Sequence, residues 1–198
     1  MKPLSTLLLA SVLLAGTSRA LAQGKYMTKA GQVSFFSASV VEDIEARTQQ
    51  VAAVLDLGAG RMAFTLPIKG FVFKRTLMQE HFNENYLESD KYPKATFTGT
   101  LVNFDATTLA AAGAHSVLVE GDLTLHGVTH RIQAPGKLEL KGSQLLVTAV
   151  FPVAPADYNV EVPFLVRDHI AKVMSVRVAL ACDAVPAPTG SNAPRGAN

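Results

Sequence analysis

Five histidines, a single cysteine and two glutamates one helical turn apart are the side chains with reactivity suited to catalysis or metal binding. His126 and His130 bracket a tight turn, so their rings can approach each other across a hairpin mouth. Zinc needs three or four ligands, and no third lies near them in sequence; His115 or His169 would join them only through tertiary folding. Glu80 and Glu84 have the spacing of paired carboxylates for general acid–base work, and an exposed helix face accounts for them equally well. Cys182 ends an apolar run, where a thiol behaves as a small inert hydrophobe. Gly58-Ala59-Gly60-Arg61-Met62-Ala63 matches a dinucleotide fingerprint in letters only. A strand pattern follows it, where phosphate binding requires a helix N-terminus. No G-x-S-x-G nucleophile elbow is present. The residues therefore assemble no catalytic set and no metal set, and no cofactor is expected. The histidines read as structural or rim residues.

The elements around them repeat with a period of two. Val117, Val119, Gly121, Leu123 and Leu125 alternate with Glu120, Asp122, Thr124 and His126, as in a strand with one apolar and one wet face. Ala95, Phe97, Gly99 and Leu101 alternate with Thr96, Thr98 and Thr100 in the same way. Further strands are expected at Val33–Ser37, Gln50–Leu57, Arg61–Ile68, Arg131–Leu140, Leu145–Phe151 and Val173–Cys182. Gly58-Ala59-Gly60 and His126-Gly127-Val128-Thr129 supply the turns of two hairpins. Only Thr76–Leu87 has a helical period, with Leu77, Met78, His81, Phe82, Asn85 and Tyr86 on one face. Pro93 ends any helix before it. About eight strands, one helix and no strand–helix alternation predict an antiparallel all-β barrel or sandwich.

An eight-stranded barrel has a lumen that side chains fill or that holds one small ligand. Periodicity alone favours the filled lumen. The run Leu145–Phe151, apolar on both faces, and ten Phe with no Trp favour a ligand. Strand alternation nominates Phe35, Leu55, Phe64, Leu66, Phe97, Leu101, Leu123, Leu125, Val147, Phe151, Val176 and Val178 as lumen residues. Gly99, beside Phe97, is expected to leave room along the wall that no side chain fills.

The two ends of the chain have other tasks. Met1-Lys2, the apolar run Leu7–Ala15 and the small residues of Ala20-Leu21-Ala22 have the layout of a secretory signal peptide, residues 1–22. Thr17 stands where a lipidated Cys would be needed, so no lipid anchor is expected. Removing that segment takes away Lys2 and Arg19 and no acid, and leaves 16 cations against the 16 carboxylates. A neutral chain without a basic run is a poor nucleic-acid binder. No run of 18 apolar residues is present to span a bilayer as a helix. Residues 184–198 hold three prolines among small and polar residues, and are expected to form a disordered tail. The folded unit is then 24–183.

Gly121-Asp122-Leu123-Thr124-Leu125-His126-Gly127-Val128-Thr129 resembles the Leu-Thr-hydrophobic-His-Gly-Val-Thr signature of the YceI-like family. His81-Phe82 and Lys91-Tyr92-Pro93-Lys94-Ala95-Thr96-Phe97 resemble that family's helix end and Tyr-Pro-x-x-x-Phe strand entry. Lys74-Arg75-Thr76 departs from the Arg-Asp pair found there in many members, and Asp157 through Pro163 is a variant form. The resemblance implies a lipocalin-like antiparallel barrel, secreted or periplasmic, whose lumen holds a polyisoprenoid or similar long amphipathic lipid. The implied function is a carrier that binds without chemistry. A structural or adaptor barrel with a packed lumen, or a His-dependent metal-binding enzyme, stands as the alternative.

Ala20-Leu21-Ala22 is the only well-placed small-x-small site after the apolar run, so the exported protein should begin at Gln23. N-terminal mass spectrometry of exported protein checks this, and an intact Met1 would contradict it.

Overall fold

The computed structural model describes residues 24–186. The expected signal peptide and residues 187–198 of the expected tail lie outside the described residues. Nine strands follow one another as β1 (Lys25–Ser37), β2 (Ile44–Asp56), β3 (Arg61–Pro67), β4 (Val72–Phe73), β5 (Lys94–Val102), β6 (Ala114–Leu125), β7 (Val128–Lys141), β8 (Gln144–Val153) and β9 (Met174–Ala184). Their order in the sheet is β1-β9-β8-β7-β6-β5-β3-β2-β4, and β1 pairs again with β2. Eight strands thus close into an antiparallel barrel, and the two-residue β4 rides on Ala46 and Arg47 of β2. The barrel, rather than the sandwich, is the architecture.

β1 and β2 begin well before the expected Val33 and Gln50, for a common reason. The inward positions of β1 are Tyr26 and then Gly31, Val33 and Phe35; those of β2 are Ile44, Ala46 and Thr48 and then Val51, Ala53 and Leu55. Each strand changes phase once, where their pairing shifts register around Gly31. A bulge adds one residue and flips every later side chain to the other face, so no single period of two runs through either segment. Gly31 is needed at that point because a Cβ there would collide with a Leu180 methyl group. At the other end of the chain, β9 reaches Ala184, and Val185 N–H still donates to the Lys25 carbonyl at 2.9 Å.

The single helix, α1 (Thr76–His81), continues as a wider π-helical segment, Phe82–Tyr86. Met78, Phe82, Tyr86 and Leu87 face the barrel. Leu77, expected on that face with His81 and Asn85, is exposed along with both of them. Met78, Phe82 and Tyr86 follow one another in i, i+4 steps along the inward side, so Leu77, His81 and Asn85, each one residue earlier, turn outward. Gln79 Oε1 accepts the Phe73 N–H at 3.2 Å, which ties the helix to β4.

Gly99 of β5 and Gly121 of β6 stand opposite each other. A Cβ on either would come within 2.6 Å of the Phe97 ring edge, and one on Gly121 would also strike the Thr98 carbonyl. The room expected beside Gly99 is therefore occupied by the ring of Phe97 itself. An aromatic laid over strand glycines covers backbone they leave bare.

Gly121→Val should destabilise the barrel by about 2–3 kcal/mol or more, since backbone and ring must both move. Urea unfolding followed by far-ultraviolet circular dichroism measures this as a lower midpoint at unchanged slope.

Candidate functional site

The inward faces of the strands do not meet at the centre. They surround a cavity of about 240 Å³ whose wall contains no charged residue. Tyr86, Thr65, Thr96 and Thr148 are its only hydroxyl-bearing residues, and Thr96 and Thr148 belong to outward, exposed positions of their strands. Of the twelve lumen residues nominated by alternation, all but Leu55 and Leu101 line this cavity. Those two are buried in the core at the opposite end, where Leu145 and Cys182 are also sealed off. That end is blind: the start of β8 and the ends of β2, β5 and β9 close it with apolar side chains in contact.

At the other end the cavity runs up to a cover that alternation did not predict. Phe71 and Phe73 from β4 and its approach, with Met78 and Phe82 from the helix, face Phe35. Ring centroids of Phe35 lie 5.4 Å from Phe71, 5.8 Å from Phe73 and 5.6 Å from Phe82; Phe73 and Phe82 are 4.9 Å apart. These separations suit offset and edge-to-face aromatic contacts. Phe71-Val72-Phe73 carried a period-two signal, too short to be read as a strand. Val160, Val162 and Ile170 from the segment between β8 and β9, with Met174 at the start of β9, also line this end of the cavity.

The two quoted motifs meet at the edge of this cover. His126 and Gly127 form the two-residue turn between β6 and β7, with φ of +51° and +76°. Positive φ at both central residues matches the twist of a tight hairpin, and Gly adopts it freely. The Tyr92 ring packs edge-on against His126 with centroids 4.5 Å apart, and a Cβ on Gly127 would approach it to 2.5 Å. His126, only 9% exposed, donates from Nδ1 to the Tyr158 carbonyl at 3.0 Å, since a carbonyl can only accept. Its Nε2 lies 2.8 Å from Glu88 Oε2. His130 Nε2 donates to the Asp157 carbonyl at 2.7 Å. His126 and His130 thus both hold the Pro155–Tyr158 turn, by two successive carbonyls. His115 Nε2 lies 3.0 Å from the Ala111 carbonyl, and His169 Nδ1 3.5 Å from Glu42. Among the described residues no three His, Cys, Asp or Glu converge as a metal set. Glu80 and Glu84 are exposed on the helix.

Burial, and then the neighbouring Asp183, push the Cys182 thiol up to about 11. Thiolate chemistry at neutral pH is therefore suppressed in the folded state. Burial also raises Tyr86 and Tyr158 above the usual phenol value.

Residues 24–184 match the family model of the YceI-like domain. No curated protein matches the chain. Among solved structures the fold is similar to a polyisoprenoid-binding domain from Saccharophagus degradans implicated in plant cell wall breakdown. That similarity has a TM-score of 0.69 at 18% identity, over 82% of this chain and 99% of that one. BcnA from Burkholderia cenocepacia aligns with a TM-score of 0.63 at 17% identity, over 76% of this chain and 95% of that one. A YceI protein from Campylobacter jejuni aligns with a TM-score of 0.55 at 14% identity, over 70% and 83%. At these identities the likeness is one of fold.

His126→Ala would leave the Tyr158 carbonyl and the Glu88 carboxylate without their shared partner. Loss of a buried hydrogen-bond partner costs about 1–3 kcal/mol. The expected outcome is a lower urea midpoint, together with faster proteolysis near Tyr158 than elsewhere, read by limited digestion and mass spectrometry.

Proposed function

The chain belongs to the YceI-like domain family, and on that premise we propose that it is a secreted or periplasmic carrier. It holds one polyisoprenoid-type chain, or a similar long amphipathic lipid, in the barrel lumen and acts by binding without chemistry. The uncharged cavity of about 240 Å³ carries this reading. At ~24 cal/mol per Å³, leaving such a space dry and empty costs on the order of 5 kcal/mol. That compares with a net stability of about 5–15 kcal/mol for an ordinary domain, so a ligand that fills the space repays its retention. A ligand chain burying about 400 Å² gains about 10 kcal/mol gross. Lost translational freedom and ordering then reduce this to micromolar or tighter affinity.

In this reading Phe35, Phe64, Leu66, Phe97, Leu123, Leu125, Val147, Phe151, Val176 and Val178 touch the chain of the ligand, and Leu55 and Leu101 set the floor it rests on. The uncharged wall offers nothing to a charged headgroup, which therefore stays toward the covered end. The expected signal peptide supports the location. The S. degradans domain of the same fold is a polyisoprenoid-binding one, which supports the ligand class. An adaptor with a solid lumen fits this cavity poorly, and histidines already bonded to backbone carbonyls serve poorly as catalysts.

Solvent extraction of the purified protein followed by mass spectrometry should yield a long-chain isoprenoid-type lipid in near-stoichiometric amount. Phe151→Ala, on the cavity wall and only partly buried, should weaken lipid binding by about 1–3 kcal/mol. An empty wild-type protein that also fails to take up isoprenoids in titration would rule the carrier reading out.

A further inference from the structure

The lumen has a definite depth, because it stops in the middle of two cross-strand pairs. Met62 of β3 lines the cavity, while Leu55, its partner on β2, does not. Val119 of β6 lines it, while Leu101, its partner on β5, does not. Along β5 the inward positions run Phe97, Gly99, Leu101 toward the blind end. Gly99 has no side chain, so Leu101 is the next one below Phe97. Leu55 is fully buried and Leu101 is 8% exposed, so neither has open space to yield into.

The floor is also held in place from behind. Leu101 N–H donates to the Gly60 carbonyl at 2.8 Å, and Leu57 N–H to the Gly24 carbonyl at 2.7 Å, so the strand ends that carry the floor are tied to each other. The β5–β6 connection forms a short 3-10 turn, Ala106–Ala110, whose Leu109 is buried in the same core. The Asp105 carboxylate accepts the Thr107 N–H at 2.9 Å and fixes the start of that turn. Across the barrel, Leu145 and Cys182 are cross-strand partners at 0% exposure. A close-packed interior of this kind does not deepen to suit a guest without losing contacts.

We propose that Leu101 and Leu55 determine specificity: they set the number of isoprene units that the lumen accepts. This deepens the carrier reading and rests on it. A ligand with its polar head at the covered end and its tail on this floor fits at one length. A shorter chain leaves dry space whose lining lacks contacts. A longer one pushes apolar carbon back through the cover into water. Truncating a buried leucine leaves an apolar pocket that stays dry and takes up apolar molecules. Leu101 is paired with the wall residue Val119, so space opened there adjoins the end of the lumen. Leu101→Ala therefore lengthens the lumen, and Val119→Phe, which puts a ring at its lower end, shortens it.

The test offers the full exported chain, stripped of lipid, an equimolar mixture of isoprenoid alcohols of three to nine isoprene units carried in cyclodextrin. The alcohols retained after gel filtration are extracted and counted by mass spectrometry. Wild type should retain one length at least tenfold over the alcohol two units longer. Leu101→Ala and Leu55→Ala should each move that maximum one isoprene unit longer, and Val119→Phe one unit shorter. A barrel that is merely loosened retains less of every length in the same proportions, so the distribution separates selection from stability. Should Leu101→Ala fail to fold, Leu101→Val should still raise the ratio of the next longer alcohol to the wild-type maximum about threefold. A wild type that retains alcohols without preference for length, or folded variants with an unmoved maximum, would overturn the proposal and leave the carrier reading standing. Retention of no alcohol by wild type would sink the carrier reading and the length selection with it.

Discussion

The structure depends on β1 having two partners. β1 pairs with β9 along one edge and with β2 along the other, and only this second pairing turns an open sheet into a closed one. Closure gives each of the eight wall strands a partner on both sides over at least part of its length, and so satisfies much of the wall's backbone strand to strand. The interior then has little backbone to solvate, and it can stay uncharged and unfilled. The bulge at Gly31 belongs to the same constraint. It lets one long strand bend enough to reach both neighbours, at the cost of a register shift that its partner must mirror.

The strands whose period is unbroken were legible in the sequence, and the segments where geometry interrupts the period were not. β5 and β6 alternate without a fault, and their residues fall on the faces that the letters indicate. The first halves of β1 and β2 were hidden because a bulge inverts the phase within each. The same logic governs the site. Alternation locates a wall residue around the barrel, but not its height along the axis, so Leu55 and Leu101 were placed beside Phe97 although they close the blind end. Gly99 shows the complementary limit. A missing side chain looks like space in one dimension, yet Phe97, two residues earlier, folds its ring over the gap. Of the aromatic cover, the helical part with Met78 and Phe82 was legible as a period, while Phe71-Val72-Phe73 was not, since a two-residue strand is shorter than the pattern that would reveal it.

The motif residues explain their own spacing once folded. Tyr92 enters β5 from one side and His126-Gly127 turns between β6 and β7 on the other, and the ring of the first occupies the volume that the glycine leaves. His126 holds a left-handed backbone that costs a non-glycine residue about 1–2 kcal/mol, and its two side-chain bonds offset that cost. A ring able to bridge a carbonyl on one side and a carboxylate on the other is what the position demands. The chemistry that makes histidine a catalyst elsewhere here joins three loops around the covered end.

Cys182 lies at the blind end, with 0% exposure and its thiol pushed up to about 11. No path leads to it from the cavity, which stops short of it, so events at the covered end do not uncover the sulfur. Modification by a thiol reagent therefore requires the far end of the barrel to come apart. The lone cysteine serves as a built-in clock for unfolding, one that runs independently of whether the lumen is full, open or empty.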